Sequence, residues 1–333
     1  MITNPKFFVG RQEELDKMTS WVTGVPPVSA NVVGRRRIGK SSLLYHFVQT
    51  YEQRIPQPNN RFIVVYLSLQ NAHCQQEEGF YRAVGQQFWS CPMVQTEPAL
   101  ADPLCARPFN RLAFSSAMGH WKRHGMLAVV FLDEFEVLMR HHQEFNEGFF
   151  DNLRSLMDSG ALMLVVASLR KLDFYRRRYQ LTSSFFKMGQ VLVLGELKEE
   201  EATQLVGLPA VGSNNDQAAL SLEEQKLVRQ LGGTHPFLLQ LAASFLWEAR
   251  HSGRDVSWAK ARFEAQARCV PGYSLNPRRW GYPLQVLVWL PLNLGRRVRG
   301  IRGTVDEIGN LMTGITILIA IILVLLVVFN LLK

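Results

Sequence analysis

The residue pattern with the clearest chemistry is the segment GRRRIGKS at positions 34 to 41. It matches G-x-x-x-x-G-K-[ST] and lies between an apolar run that predicts a strand and a segment that predicts a helix. Glycine at positions 34 and 39 permits backbone conformations that a Cβ would forbid, so that successive amide groups turn toward one point. The helix that begins near Lys40 adds the positive end of its dipole to the same point. The pattern therefore predicts a loop that binds phosphate groups.

The residues of this loop have distinct predicted roles. Lys40 reaches the β- and γ-phosphates of a nucleotide, and the hydroxyl of Ser41 binds Mg²⁺. The other residues predicted to contact the nucleotide are Gly34, Arg35, Arg36, Arg37, Ile38, Gly39 and Ser42. The alternative interpretation is a plain basic turn, and the strand–loop–helix context of the motif argues against it.

An acidic pair, Asp133 and Glu134, follows a second apolar run, LAVVFL. Such a pair lies at the carboxyl edge of a parallel sheet, where open α/β folds bind ligands. We expect Asp133 to hold Mg²⁺, directly or through water, and Glu134 to polarise the attacking water as a general base. Alone, an Asp-Glu pair after a strand is more often a helix N-cap. The phosphate-binding loop reverses that preference in favour of metal binding and catalysis.

A third polar group follows the apolar run ALMLVVAS, which ends in Ser168 and is followed by Leu169 and Arg170. The pattern places a hydroxyl and a guanidinium at the same sheet edge, where Arg170 would contact the γ-phosphate and sense its loss. A structural surface arginine is the alternative. Residues 176–178 are all arginine; they would supply an arginine finger to a neighbouring subunit or form a solvated charge run, and the solvated run is the commoner case.

Short apolar runs alternate with helical segments between residues 29 and 195, which predicts an α/β domain with a mostly parallel sheet and helices on both faces. Beyond residue 197, amphipathic segments predict an all-α subdomain, interrupted at 207–215 and 232–236. The proline-containing stretch 91–108 is expected to be a loop. The predicted strands are 29–33, 62–69, 127–132, 161–168 and 191–194, and the predicted helices of the α/β part are 40–51, 77–89, 110–124 and 145–157.

Composition limits the class of protein. The chain has 333 residues, of which 47% are hydrophobic, and this excludes a disordered tail, a collagen-like fibre and a disulfide mini-protein. The four cysteines are widely spaced and form no C-x-x-C pair, which favours a reducing compartment over a disulfide framework or a zinc site. The net charge is +9, but residues 269–333 carry +5 of it. The remaining +4 is modest for a nucleic-acid-binding protein.

The C-terminal segment predicts a membrane anchor. Residues 308–332 contain no charged side chain and are largely aliphatic, and about 20 such residues in a helix cross the hydrocarbon layer. Arginines at 296–302 precede the span, which predicts a tail-anchored protein with its body in the cytoplasm. The apolar run 283–294 would lie on the membrane surface or form a packed linker.

Through these motifs the chain resembles the STAND class of AAA+-related P-loop ATPases, in their archaeal and bacterial AAA-like branch. The resemblance covers about residues 7–250. Residues 34–41 resemble the Walker A motif of the class, Asp133 and Glu134 its Walker B motif, and Ser168 to Arg170 its sensor-1 motif. FVGR at 8–11 resembles the N-terminal signature that packs by the adenine, which implies nucleotide contacts for Gly10 and Arg11. LGGTHPFLLQLA resembles the G-x-P turn of the lid, with Thr234 in place of the glycine, and implies a contact of Pro236 with the base.

The resemblance implies an ASCE/AAA+-like fold, ATP or ADP and Mg²⁺ as ligands, and a switch between ADP-closed and ATP-open states that hydrolysis resets. The predicted domains are a P-loop core (1–195), a helical lid (196–268), a basic linker (269–307) and a transmembrane anchor (308–333). We therefore expect a membrane-anchored, slowly turning-over ATPase with Lys40, Glu134 and Arg170 as catalytic residues. A homo-oligomer, an unidentified protein partner and the lipid bilayer are expected partners, and nucleic acid is not. The alternatives are a nucleotide-gated scaffold with negligible hydrolysis and a nucleic-acid-binding AAA+ relative.

Overall fold

The computed structural model describes residues 1–55, 61–210, 217–270, 273 and 312–319. It divides into two compact units, Met1–Lys260 and Ala261–Lys333. The first unit contains the residues predicted to bind nucleotide. Its centre is a sheet of five parallel strands in the order β2-β3-β4-β1-β5. The strands are β1 (Ala30–Val33), β2 (Phe62–Ser68), β3 (Leu127–Asp133), β4 (Leu162–Ser168) and β5 (Gln190–Val193).

Strand register brings the predicted site residues to one edge of this sheet. Val33, the last residue of β1, pairs with Ser168 at the end of β4 and with Val193 at the end of β5. Ser68 at the end of β2 pairs with Asp133 at the end of β3. Because all strands are parallel, these carboxyl ends face the same side of the domain, as expected for ligand sites in open α/β sheets. The five strands confirm the predicted strands to within one or two residues.

Alternate strand residues point to opposite faces, and both faces are buried under helices, which confirms the predicted α/β architecture. On one face, Val32, Val129 and Val165 pack with two helices, α1 (Gln12–Thr23) and α2 (Lys40–Arg54). On the other face, Val130 and Leu164 belong to a larger cluster with α3 (Glu77–Trp89), α6 (Arg111–Arg123) and α8 (Glu147–Asp158). The near-continuous apolarity of β3 and β4 follows from this double burial. The helices of this part are α1 (Gln12–Thr23), α2 (Lys40–Arg54), α3 (Glu77–Trp89), α4 (Pro92–Thr96), α5 (Pro98–Ala101), α6 (Arg111–Arg123), α7 (Glu136–Arg140), α8 (Glu147–Asp158) and α9 (Leu172–Arg178).

The prediction that residues 91–108 form a loop is wrong. This stretch contains α4, α5 and a 3-10 helix, Asp102–Cys105. Pro92, Pro98 and Pro103 stand in the first turn of these three helices, where a missing amide hydrogen costs nothing. Val94, Leu100 and Leu104 are buried in the larger cluster and anchor these short helices. Proline here starts helices instead of preventing them.

Helices follow the sheet: α10 (Glu199–Val206), α11 (Leu222–Gly232), α12 (Pro236–His251) and α13 (Val256–Ala267). Ser221 and Glu224 form a capping box that begins α11. The predicted interruption at 232–236 is confirmed, since Gly233 has φ +63° and Pro236 begins α12. Of the interruption predicted at 207–215, residues 211–215 lie outside the described residues.

Most of the predicted membrane anchor lies outside the described residues. Residues 312–319 within it are helical. Across the ranges that the structure describes, no helix combines the length and apolarity required to cross a bilayer. The surface segment 283–294 and nearly all of the linker 269–307 also lie outside those ranges, so the anchor, the linker and the orientation stay predictions.

Candidate functional site

The loop between β1 and α2 approaches neighbouring backbone so closely that Gly34 has no room for a side chain. A Cβ there would lie 2.8 Å from Ile38 Cγ2 and 3.1 Å from the carbonyl oxygen of Leu194. The Gly34 amide donates to the carbonyl of Ser168 at 3.2 Å, which ties the start of the loop to the end of β4. Glycine at this position is thus required by packing, beyond the conformational freedom that the motif predicts.

At the other end of the loop, Gly39 has φ +102° and is the N-cap of α2. Arg37 also has a positive φ, 65°, which is uncommon for a residue with a Cβ. Left-handed residues in such a loop turn its amide groups inward and make a concave anion-binding surface. The N-terminus of α2 lies at the same place, so the loop has the shape and dipole that phosphate binding requires.

The Lys40 ammonium is drawn back onto the loop, where Nζ donates to the carbonyls of Gly34 at 2.7 Å and Arg35 at 3.0 Å. Burial lowers the pKa of Lys40, and the nearby carboxylates of Glu136, Asp133 and Glu134 oppose that shift. The Lys40 ammonium therefore shares one electrostatic environment with the carboxylates that follow β3, as the motifs predict.

Asp133 ends β3 and is 2% exposed. Its Oδ2 accepts a hydrogen bond from the Tyr66 hydroxyl at 2.9 Å, and its Oδ1 accepts one from the Glu134 amide at 2.9 Å. Burial, followed by the Asp133 charge, raises the pKa of Tyr66. Sequence reasoning missed Tyr66; the available signal was an aromatic residue with a polar group near the end of an otherwise aliphatic strand.

Glu134 leaves the strand with φ +60°, an uncommon conformation for a residue with a Cβ. It lines the same cavity as Gly39, Lys40 and Ser41. The Glu134 carbonyl accepts from the Val137 amide at 2.9 Å in the turn that begins α7. Glu134, the predicted general base, thus has a strained backbone, and strained residues usually cluster at functional sites.

Glu136 is a second residue that sequence reasoning did not assign. It lines the cavity, and its Oε1 accepts hydrogen bonds from the Tyr175 hydroxyl at 2.7 Å and from the Leu169 amide. Glu136 therefore holds the turn after β4 against the turn after β3. An acidic residue two positions after Glu134 was the only signal in the sequence.

Ser168 and Arg170 lie at the end of β4, as predicted, but their side chains have protein partners. Ser168 is fully buried; its hydroxyl donates to the Arg170 carbonyl at 2.7 Å and accepts from the side-chain Nδ2 of Asn31 at 2.8 Å. The Arg170 guanidinium lies 5.8 Å from the centre of the Phe174 ring. Ser168 therefore shapes this turn, and contacts of either residue with nucleotide stay predictions.

Arg11 is 5% exposed and joins three segments. Its guanidinium donates to the carbonyls of Gly195 at 2.6 Å and Glu196 at 3.3 Å, where the chain leaves the sheet, and to Ile38 in the loop at 3.5 Å. Its amide donates to Glu201 at 2.7 Å. Gly10 has φ +71°, and a Cβ on it would lie 2.5 Å from the Glu201 side chain. The predicted FVGR signature is thus a junction between the loop and the helical part.

The helical part contributes the far wall of the cavity. Pro236 and Phe237, at the start of α12, line it. The Arg37 guanidinium lies 4.2 Å above the centre of the Phe237 ring, a cation–π contact between the phosphate-binding loop and α12. The Ser42 hydroxyl accepts from the Ile2 amide at 3.0 Å, so an N-terminal segment also borders the cavity.

The resulting cavity has a volume of about 650 Å³, a size that accommodates a nucleotide. Its basic lining is Arg11, Arg36, Arg37, Lys40 and Arg140, and its acidic lining is Glu134 and Glu136. Within the described residues, no group of three or more His, Cys, Asp or Glu side chains is arranged to hold a metal ion. A magnesium ion here would take part of its ligand set from water and phosphate, which is its usual behaviour in nucleotide sites.

Neither a comparison with protein-family models nor one with curated protein sequences gives a match. Solved structures do match. The Walker-type ATPase PABY2304 of Pyrococcus abyssi aligns at 18% identity and a TM-score of 0.57, covering 93% of this chain and 91% of that one. The ORC2 protein of Aeropyrum pernix in ADPNP–ADP complexes aligns at 16% identity and a TM-score of 0.51, covering 87% and 75%. The ADP form of the same protein aligns at 15% identity and a TM-score of 0.52, covering 89% of this chain and 75% of that one.

This chain shares the fold of these proteins, a parallel α/β sheet with a P-loop after its first strand. At such identities the likeness concerns the fold alone, and it confirms the predicted P-loop architecture. The more specific predictions, the STAND class and the membrane anchor, do not follow from these matches.

Proposed function

We propose that this protein binds ATP with Mg²⁺ and hydrolyses it slowly, as a switch of the STAND type. The proposal depends on one arrangement: residues 36–41 of the loop line the same cavity as Glu134, and the charges of Asp133 and Glu134 act on the Lys40 ammonium. The matching Walker-type ATPase and the ORC2 protein with bound ADPNP and ADP support a nucleotide as the ligand.

The residues of the cavity fit a magnesium–triphosphate group. Gly39 carries no side chain where the loop lines the cavity, and the N-terminus of α2 lies at the same place. Lys40 would exchange its contacts with the Gly34 and Arg35 carbonyls for contacts with phosphate oxygens. Ser41 and Asp133 offer a hydroxyl and a carboxylate, the oxygen ligands that Mg²⁺ prefers. Magnesium, when bound, would neutralise charge that develops on the transferred phosphate.

Glu134 is the best-placed general base in this cavity. It is partly exposed and lines the cavity, whereas the Asp133 carboxylate is buried and engaged by Tyr66 and the Glu134 amide. One Glu134 carboxylate oxygen would accept a proton from the attacking water, while Lys40 stabilises charge on the phosphate side. Tyr66 would hold Asp133 in place through its donated hydrogen bond.

The proposed switch requires contacts that differ between nucleotide states. The Arg37–Phe237 contact joins the loop to α12, and Arg11 joins the loop to residues 195 and 196. A γ-phosphate that attracts Lys40 and the loop arginines would therefore change the position of the helical part. We further propose that residues 308–333 anchor the protein in a membrane with the ATPase domain in the cytoplasm; the uncharged run at 308–332 and the preceding arginines support this.

The decisive experiment measures nucleotide affinity and phosphate release by the full-length chain. Lys40→Ala removes the half-buried ammonium and should abolish detectable binding of MgATP, because the loop then lacks the charge predicted to contact the β- and γ-phosphates. Lys226→Ala, which removes an exposed lysine on α11, is the matched control and should bind like the parent protein. Unchanged affinity in Lys40→Ala would refute the site assignment. Binding without phosphate release in the parent protein would favour the scaffold alternative.

A further inference from the structure

A cluster of basic residues lies in and beside α9. The segment 170–178, which we call the α9 patch, contains Arg170, Lys171 and three consecutive arginines, with Asp173 as its single acidic residue. Its net charge is therefore +4. The first 268 residues contain 30 basic and 26 acidic residues, an excess that is also +4. Residues 35–40 of the phosphate-binding loop also carry +4, so the α9 patch is one of two strongly basic segments in this region.

The positive charge of this patch faces solvent. The Arg177 side chain is 76% exposed, and Arg178 is also exposed. Asp173 pairs with Arg176 at 3.0 Å and with Arg177. Glu136 accepts from the Tyr175 hydroxyl, and Glu147 accepts from the amides of residues 182 and 183. Among the described residues, Asp173 is the carboxylate that forms ion pairs with the arginines of this patch, which leaves a net positive surface for an anionic partner.

An aromatic ring lies among these charges. Phe174 is 44% exposed, with the Arg170 guanidinium 5.8 Å from its ring centre and the Tyr175 ring packed edge-on at 5.5 Å. Exposed aromatic rings flanked by arginine are typical of surfaces that bind single-stranded nucleic acid, because bases stack on the ring while the guanidinium groups contact phosphates. A duplex keeps its bases stacked on each other and offers the ring no partner.

The burial pattern of α9 favours single-stranded nucleic acid over a membrane as the partner. The other apolar residues of the helix, Leu172 and Tyr175, are buried in the core, so Phe174 is its one exposed apolar side chain. A helix that lies on a bilayer presents a broad apolar face instead. One ring within a basic surface suits a base and its phosphates better than it suits a lipid surface.

We propose that the α9 patch binds single-stranded nucleic acid, with Phe174 stacking on a base and Arg177 and Arg178 contacting phosphates. This inference is independent of the proposed ATPase activity. The modest average charge argued against a nucleic-acid partner, but that average combines local basic clusters, of which the exposed α9 patch is one, with acidic stretches elsewhere.

The test is a titration of the full-length chain with fluorescently labelled oligo-dT. Two phosphate contacts predict a salt slope of about −1.4, so raising salt from about 50 to 200 mM should weaken binding about 7-fold. Phe174→Ala should weaken it about 5- to 150-fold. Phe174→Leu should weaken it similarly, and Phe174→Trp should preserve it. The double variant Arg177→Ala/Arg178→Ala should reduce both the affinity and the salt slope. Lys226→Ala is the control. It should lower the affinity for oligo-dT by no more than the loss of one surface charge does, and Phe174 substitutions should have the same effect in its presence.

Three results would overturn the proposal. Equal affinity of Phe174→Ala and the parent protein would remove the stacking contact. A second result would assign the patch to membranes. In that case the parent protein does not bind oligo-dT but binds phosphatidylcholine vesicles when they contain phosphatidylserine. The double arginine variant loses this vesicle binding, and Phe174→Leu keeps it. Loss of ATP hydrolysis in the double arginine variant, with oligo-dT affinity unchanged, would assign these arginines to the nucleotide site of a neighbouring copy.

Discussion

At the scale of single residues, the carboxylates after β3 occupy different environments. Asp133 is buried and holds two hydrogen bonds, Glu134 lies in the cavity with a strained backbone, and Glu136 bridges to the turn after β4. This division of environments assigns them different tasks: a metal ligand, a base and a structural support. It also shows why DEFE in a sequence does not by itself reveal which carboxylate does which task.

The assignment of the base predicts the behaviour of paired variants. Glu134→Gln preserves side-chain shape but removes the proton acceptor, so ATP turnover should fall by about 10²- to 10⁴-fold while MgATP affinity stays close to that of the parent protein. Glu136→Gln is the matched control, because a Gln oxygen can still accept from the Leu169 amide and the Tyr175 hydroxyl. Phosphate release and equilibrium binding would be measured for both. A larger loss of turnover in Glu136→Gln would transfer the role of base to that residue.

Two buried histidines predict how stability responds to pH. Burial lowers the pKa of His235 and of His46 below the ordinary value. The unfolded chain therefore takes up protons at a higher pH than the folded protein does, and stability should be full above about pH 6.5 and decline as the pH falls below that value. Urea unfolding at a series of pH values would measure this dependence.

His235→Gln should flatten that dependence, because Gln does not titrate. His73→Gln changes an exposed histidine and should leave the dependence unchanged. Identical pH profiles for His235→Gln and the parent protein would show that His235 does not contribute.

At the scale of elements, the contact of Arg37 with Phe237 links the phosphate-binding loop to α12. We predict a coupling of about 0.5–1 kcal/mol in the free energy of unfolding, the usual range for an exposed cation–π pair. Urea unfolding of Arg37→Ala, Phe237→Leu and the double variant gives that coupling directly, and the cost of alanine at a positive φ cancels in the cycle. Additive effects of the two substitutions would mean that the contact does not join these elements.

The strands and the phosphate-binding loop were predictable because their signals are local: apolar runs of strand length, and glycine and lysine at fixed spacing. Glu136 and Tyr66 were missed because their importance arises from partners on other strands and turns. The short helices after residue 91 were missed because burial of Val94 and Leu100 outweighs the local proline signal. The contact between Arg37 and Phe237 joins residues remote in sequence, and no spacing rule identifies such a pair.

At the scale of the whole molecule, a switch that works by assembly predicts a change of mass. We expect the detergent-solubilised full-length chain to form a larger species with a non-hydrolysable ATP analogue than with ADP, since the γ-phosphate acts on the loop that contacts α12. Light scattering coupled to size-exclusion chromatography would measure both masses. Lys40→Ala is the control and should show one mass under both conditions. Equal masses for the parent protein would refute assembly as the output.

The hydrogen bonds of Arg11 also set an order of events during synthesis. Its amide is paired with Glu201, 190 positions later, and its guanidinium with Gly195, 184 positions later. At about 5–20 residues per second, a ribosome takes roughly 10–40 s to make that interval. Throughout this time the Arg11 guanidinium can pair with Glu14 and with the Ile38 carbonyl, but its acceptors at residues 195 and 196 have not been made. The contacts that join the first helix to the end of the sheet are therefore completed late, and a chain released before residue 195 would lack them.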